Sequence, residues 1–215
     1  LYRAGPLRRA LVRRLFSKVD RVITTDGAMT RHLMERYQLP STAIRQISWG
    51  VDLELFRPAT RGERVKLRRA LNVPDNAFLI FSNRATAPVY RTDRIIRAFS
   101  FAKRERTNLY LIVLEGHGHQ ASASFRRSVH DLASRAGEWV RWLPGTIASS
   151  EMREYLQAAD CVISIPSSDQ RSTSVLEALA CCPRVCLSGI PAYGQLRRDG
   201  FGFIEADCGD DNHVA

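Results

Sequence analysis

CVISIPSSDQRSTSVLEALACC, residues 161–182, changes character twice within 22 positions. It opens on VISI, a continuous apolar run rich in β-branched residues. Such a run fits a strand buried on both faces better than one with a wet side. A polar stretch follows with the acid Asp169, and then three hydroxyl residues, Ser172, Thr173 and Ser174. From Thr173 the apolar residues recur at helical spacing, with a second acid, Glu177, about one turn in. Strand, loop and helix in that order make one unit of a parallel sheet.

The same alternation extends outward in both directions. Strands are expected at 77–82, 109–115, 139–143, 161–166, 184–188 and 200–205, and helices at 62–71, 92–105, 122–136, 149–158, 173–182 and near 192–198. Strands joined through helices of about ten to fifteen residues give parallel neighbours and right-handed crossovers. The fold class expected is therefore α/β, a doubly wound, Rossmann-like parallel sheet covering residues 58–215. Residues 1–57 contain two further strands, 20–25 and 43–50, around a helix, and read as the end of another Rossmann-like domain. The irregular LELFRPATRGE, broken by Pro58, marks the boundary.

The 215 residues are 45% hydrophobic and 25% charged, ordinary globular material. No apolar run reaches the 18 or so residues of a membrane span. The beginning, without Met or a signal-peptide core, reads as internal to a longer chain. Net charge is +10; of the 32 basic residues three are Lys (Lys18, Lys66, Lys103) and the other 29 are Arg. The densest basic cluster, Arg3 to Lys18, is interleaved with Leu7, Leu11 and Leu15. It suits either peripheral contact with an anionic membrane or a solvated helix packed on a further domain. No nucleic-acid recognition motif accompanies the arginines, so nucleic acid is not an expected partner. Five Cys without framework spacing point to free thiols and a cytoplasmic setting. No metal site is expected: His117 and His119 have no third ligand nearby, and no paired ligand clusters occur.

In an open parallel sheet, ligands gather beyond the carboxyl ends of the strands. The loop after 77–82 presents Arg84 and Tyr90. The loop after 109–115 has Gly116 and Gly118, which permit close backbone approach to a ligand. The helix from Thr173 opens with unpaired N–H groups and a partial positive charge, favourable to a phosphate. Arg84 can bind phosphate oxygens with two parallel hydrogen bonds. Asp169 and Glu177 can accept from sugar and ribose hydroxyls. Read from residues alone, this is an anion-binding α/β domain.

The ordered set of motifs also resembles a known family. ISWGVDLELFRP (47–58), FSNRATAPVYRTDRIIRAF, LIVLEGHG and the Asp169-x7-Glu177 spacing are together similar to retaining glycosyltransferases of the GT-B fold, family 4 (group 1), over their C-terminal domain. The resemblance implies transfer of a hexosyl group from a nucleoside-diphosphate sugar to an acceptor hydroxyl with retention, in glycan or glycolipid biosynthesis. It implies that Arg84 contacts the diphosphate, Asp169 the donor sugar and Glu177 the ribose. Amides near Thr173 and Ser174 would hold phosphate, and the loop Leu143, Pro144, Gly145 would read the base. Tyr90 lies beside the place of a family Lys. No cofactor is implied, and the acceptor is unspecified. Trp49 replaces a usual Asn, Cys182 a usual Gly and Gln195 a usual Glu. The segment would supply one wall of a two-domain cleft and is not expected to turn over alone. A nucleotide-sugar 2-epimerase of the same fold and a non-catalytic basic module remain as alternatives.

Overall fold

A computed structural model describes residues 5–116 and 121–208. In chain order the helices are α1 (Pro6–Phe16), α2 (Gly27–Tyr37), α3 (Arg61–Ala70), α4 (Thr92–Ala102), α5 (Ala123–Arg135), α6 (Ser149–Ala158), α7 (Thr173–Cys181) and α8 (Pro191–Arg198). The strands are β1 (Val22–Thr24), β2 (Ile44–Gln46), β3 (Phe78–Ser82), β4 (Leu109–Leu114), β5 (Val140–Leu143), β6 (Cys161–Ser164), β7 (Val185–Ser188) and β8 (Ile204–Ala206).

The helices begin where local chemistry satisfies their first N–H groups. Thr60 and Glu63 form a reciprocal capping box at α3, while Asp26 caps α2 and Ser122 caps α5. The strands follow the apolar runs. In β4, LYLIVL, every position is buried, as a strand covered on both faces requires.

Six strands form one parallel sheet in the order β5-β4-β3-β6-β7-β8. The chain starts in the middle at β3, steps outward to β5, then returns to β6 and steps out the other way. Two apolar clusters fill the two faces: one centred on Phe81, Tyr155, Leu156, Val162 and Tyr193, the other on Ile96, Leu111, Val113 and Val129. The doubly wound sheet expected from the alternation is the observed one.

Among the described residues, β1 and β2 pair only with each other, over a separate small cluster of Leu33, Tyr37, Leu39 and Ile44. The strand expected at 43–50 is shorter because β1 offers only three partners. Phe56 packs into the core of the six-stranded unit. On α1 the leucines Leu7, Leu11 and Leu15 face solvent, while Val12 and Phe16 lie against the α2 cluster. The last strand is shifted from 200–205 to Ile204–Ala206, because Gly200, at φ +92°, turns the chain out of α8 first. Among the described residues, no helix is long and apolar enough to cross a membrane.

The free cysteines behave as the sequence suggests. Cys181 and Cys182 are buried, and burial pushes the thiols of Cys161 and Cys181 up to about 12.

Candidate functional site

The winding of the sheet reverses between β3 and β6, so the loops that leave these two strands diverge and open a crevice. Arg84 leaves β3 two residues beyond its end, and Asp169 lies in the loop after β6. Arg84 Nη1 is 3.0 Å from Asp169 Oδ2 and donates to Ser172 Oγ at 2.5 Å. Ser172 is the residue before α7, and its hydroxyl makes no capping bond to the helix. It accepts from Arg84 instead, leaving the first amides of α7 without a side-chain cap. The guanidinium also lies over the Tyr90 ring, 4.3 Å from its centroid. Burial works against the charge on Arg84, but Asp169 and Tyr90 outweigh it and hold its pKa above the ordinary value.

The two loops are joined to each other and to the strands beside them. Ser167 donates from its amide to the Val89 carbonyl (2.8 Å), and the Thr86 hydroxyl donates to the Leu114 carbonyl (3.0 Å). A cavity of about 240 Å³ opens next to Arg84, lined by Asn83, Tyr90, Gly116, Thr146, Met152 and Ser174 among others. Asn83 was not singled out from the sequence. It is buried, and its Nδ2 donates to the Ser174 carbonyl (2.8 Å), tying the end of β3 to the start of α7. A side chain's pairing across a sheet leaves no signal in the local pattern around it.

The other residues singled out from the sequence lie around this crevice as follows. Gly116 borders the cavity and has φ +67°, as a glycine position can. A Cβ there would lie 2.5 Å from the Ala85 Cβ, so the glycine makes room for the neighbouring loop. Gly118 lies outside the described residues. Leu143 is buried and its carbonyl accepts from the Glu115 amide (2.9 Å). Gly145 donates its N–H to the Glu115 carboxylate (2.8 Å) and accepts from the Gly116 amide (2.8 Å). Pro144 is exposed, and the cavity is bordered by Thr146 and Ile147 rather than by residues 143–145. Glu177 is half-buried on α7 and is not among the residues that line the cavity.

The departures from the motif have local explanations. Cys182 follows α7 at φ −101° and ψ 137°, an extended conformation open to any residue. Gln195 is engaged along its own helix, donating to Asp199 (2.8 Å) and accepting from Arg198 (2.9 Å). The loop with Asp169 also reaches the first sheet: Thr25 donates its hydroxyl to the Gln170 side chain (2.8 Å), and Arg171 donates to Ser48 (3.3 Å).

The six-stranded parallel sheet flanked by helices matches the C-terminal domains of GT-B glycosyltransferases. In sequence the chain is similar to curated glycosyltransferases, and in fold to glycosyltransferases of group 1. It is 33% identical over 171 residues to the D-inositol 3-phosphate glycosyltransferase of Saccharomonospora viridis, an alignment covering 77% of this chain and 38% of that protein. The chain spans less than half the length of curated relatives of this name. No family model matches. Among solved structures, Anabaena HepE in complex with UDP-glucose superposes with a TM-score of 0.80, covering 99% of this chain and 57% of that one at 18% identity. WaaG, a glycosyltransferase involved in lipopolysaccharide biosynthesis, gives 0.72, with 99% and 60% covered at 17% identity. These likenesses are of fold.

Proposed function

We propose that this chain is the donor-binding part of a glycosyltransferase that moves a hexosyl group from a nucleoside-diphosphate sugar to an acceptor hydroxyl, with retention at the anomeric carbon, in glycan or glycolipid synthesis. The observation that carries the reading is the Arg84 guanidinium at the uncapped start of α7, 2.5 Å from Ser172 and beside the cavity. Loss of a diphosphate from an oxocarbenium-like centre builds negative charge on the leaving group. A buried guanidinium and a helix N-terminus, aimed in advance, stabilise that charge more than water does. In this reading Arg84 and the amides of Thr173 and Ser174 hold the diphosphate. Asp169 takes a donor-sugar hydroxyl, Glu177 the ribose hydroxyls, and the 143–145 loop borders the base.

Titration calorimetry of this chain with UDP-, GDP- and ADP-glucose tests the donor wall. Binding of one of the three is expected, lost in Arg84→Ala. In the complete polypeptide the same substitution is expected to lower turnover by about 10²–10³, the loss typical of a removed charge-stabilising donor. No heat with any sugar nucleotide from a folded sample, or full activity of Arg84→Ala, refutes the proposal. Proton NMR of the fresh product reads retention directly.

A further inference from the structure

Tyr193 is fully buried, yet it ends in a hydroxyl. Packing on the sheet would be served as well by Phe, and a phenolic oxygen out of water is costly unless it finds a partner. The partner is Asp169: Tyr193 Oη donates to Asp169 Oδ2 at 2.7 Å. Burial first, and the neighbouring carboxylate second, push the phenol far above its ordinary pKa, so it remains a donor at any working pH. The other oxygen, Oδ1, accepts from the Gln170 amide (2.9 Å). With Arg84 Nη1 also on Oδ2, both carboxylate oxygens are fixed by donors from three separate positions in the chain.

We infer that Tyr193 is a positioning residue of the site: its hydroxyl fixes the Asp169 carboxylate and, through it, the direction in which the Arg84 guanidinium faces an incoming diphosphate. The ligand class rests on the function proposed above; the positioning does not. Tyr193 stands on α8, away from the motifs that carry the resemblance, and its hydroxyl meets the site at Asp169. Without its hydroxyl, Asp169 keeps one amide donor and the arginine, and the acid is free to turn about the Arg84 contact. Ser172 and Tyr90 then hold the guanidinium without its main counter-charge in a set place.

The test is Tyr193→Phe, which keeps the ring in the core, alone and combined with Asp169→Ala. In the ligand-free protein, nitrogen NMR of the Arg84 side chain is expected to show slow guanidinium rotation in the parent and measurably faster rotation in Tyr193→Phe. Loss of one hydrogen bond to a charged group corresponds to roughly a tenfold weaker Kd for the sugar nucleotide that the parent binds. In the Asp169→Ala background, where the hydroxyl has no carboxylate to hold, the second substitution is expected to add nothing, which a general packing role would not produce. Unchanged Arg84 rotation in Tyr193→Phe overturns the inference, as does an equal loss of affinity with and without Asp169. If the parent binds none of UDP-, GDP- or ADP-glucose, the proposed function fails while the rotation measurement still decides the role of Tyr193.

Discussion

Glu177 sits half-buried on α7 with no hydrogen-bond or ion-pair partner among the described residues, and burial raises its pKa above the ordinary carboxylate value. A raised folded pKa means that the folded state binds its proton more tightly than the unfolded chain does. The acid therefore costs stability once pH rises above the unfolded value of 4.5, and the cost grows until pH passes the folded value. Glu177→Gln is expected to stabilise the fold at pH 7 by about 1 kcal/mol, the usual gain from relieving an unpaired functional group. Urea denaturation at pH 7 and pH 4 checks this: the gain is expected to shrink at the lower pH, where Glu177 is already protonated in the fold. The same variant is expected to bind sugar nucleotide more weakly, because an amide is a poorer acceptor for ribose hydroxyls. A variant less stable than the parent at pH 7 would show that the carboxylate has a structural partner after all.

The helices that cover the sheet are tied to it by specific anchors, and Asp160 is the clearest. It lies between α6 and β6 and accepts from Arg64 on α3 (2.5 Å), from Arg68 (2.9 Å) and from the Leu79 amide of β3 (2.7 Å). Burial alone would raise its pKa, but the Leu79 amide and the two arginines outweigh burial and hold it below the ordinary 3.8. A depressed folded pKa contributes stability that is complete above 3.8 and is lost as pH falls through the folded value. Asp160→Asn is expected to destabilise the protein by about 2 kcal/mol at pH 7, since two arginines lose a partly buried partner. Thermal unfolding followed by circular dichroism at pH 7 and at pH 3 reads both effects. Parent and variant are expected to converge towards the acid end, and a constant difference would place the effect elsewhere.

The two sheets share no strand pairing, but the chain between them is not a neutral linker. Phe56 is buried in the core of the six-stranded unit, and Val51 and Leu55 pack against it. A boundary after residue 57, read from Pro58 and the polar stretch around it, cuts off this ring. A chain beginning at residue 58 is therefore expected to be less stable than one beginning at residue 51, by about 3–5 kcal/mol, the usual cost of deleting a buried Phe. Urea midpoints of the two chains measure it, and equal midpoints would return the boundary to Pro58.

The order of strands and helices was legible because it rests on short-range physics. Continuous apolar runs such as LYLIVL and VISI, and capping residues such as Thr60 and Ser122, act within a few positions of themselves. The mouth of α7 was legible for the same reason, since hydroxyls before an apolar helix are local. Which groups meet there was decided only by the tertiary structure. Arg84 and Asp169 come together because β3 and β6 are neighbours at the reversal of the winding, and strand order is a property of the whole sheet. Tyr193 reaches Asp169 from a helix beyond β7, and Gly116 leaves room for Ala85 of the neighbouring loop. Such pairings depend on how complete faces pack, and no window of sequence contains both partners and the geometry between them.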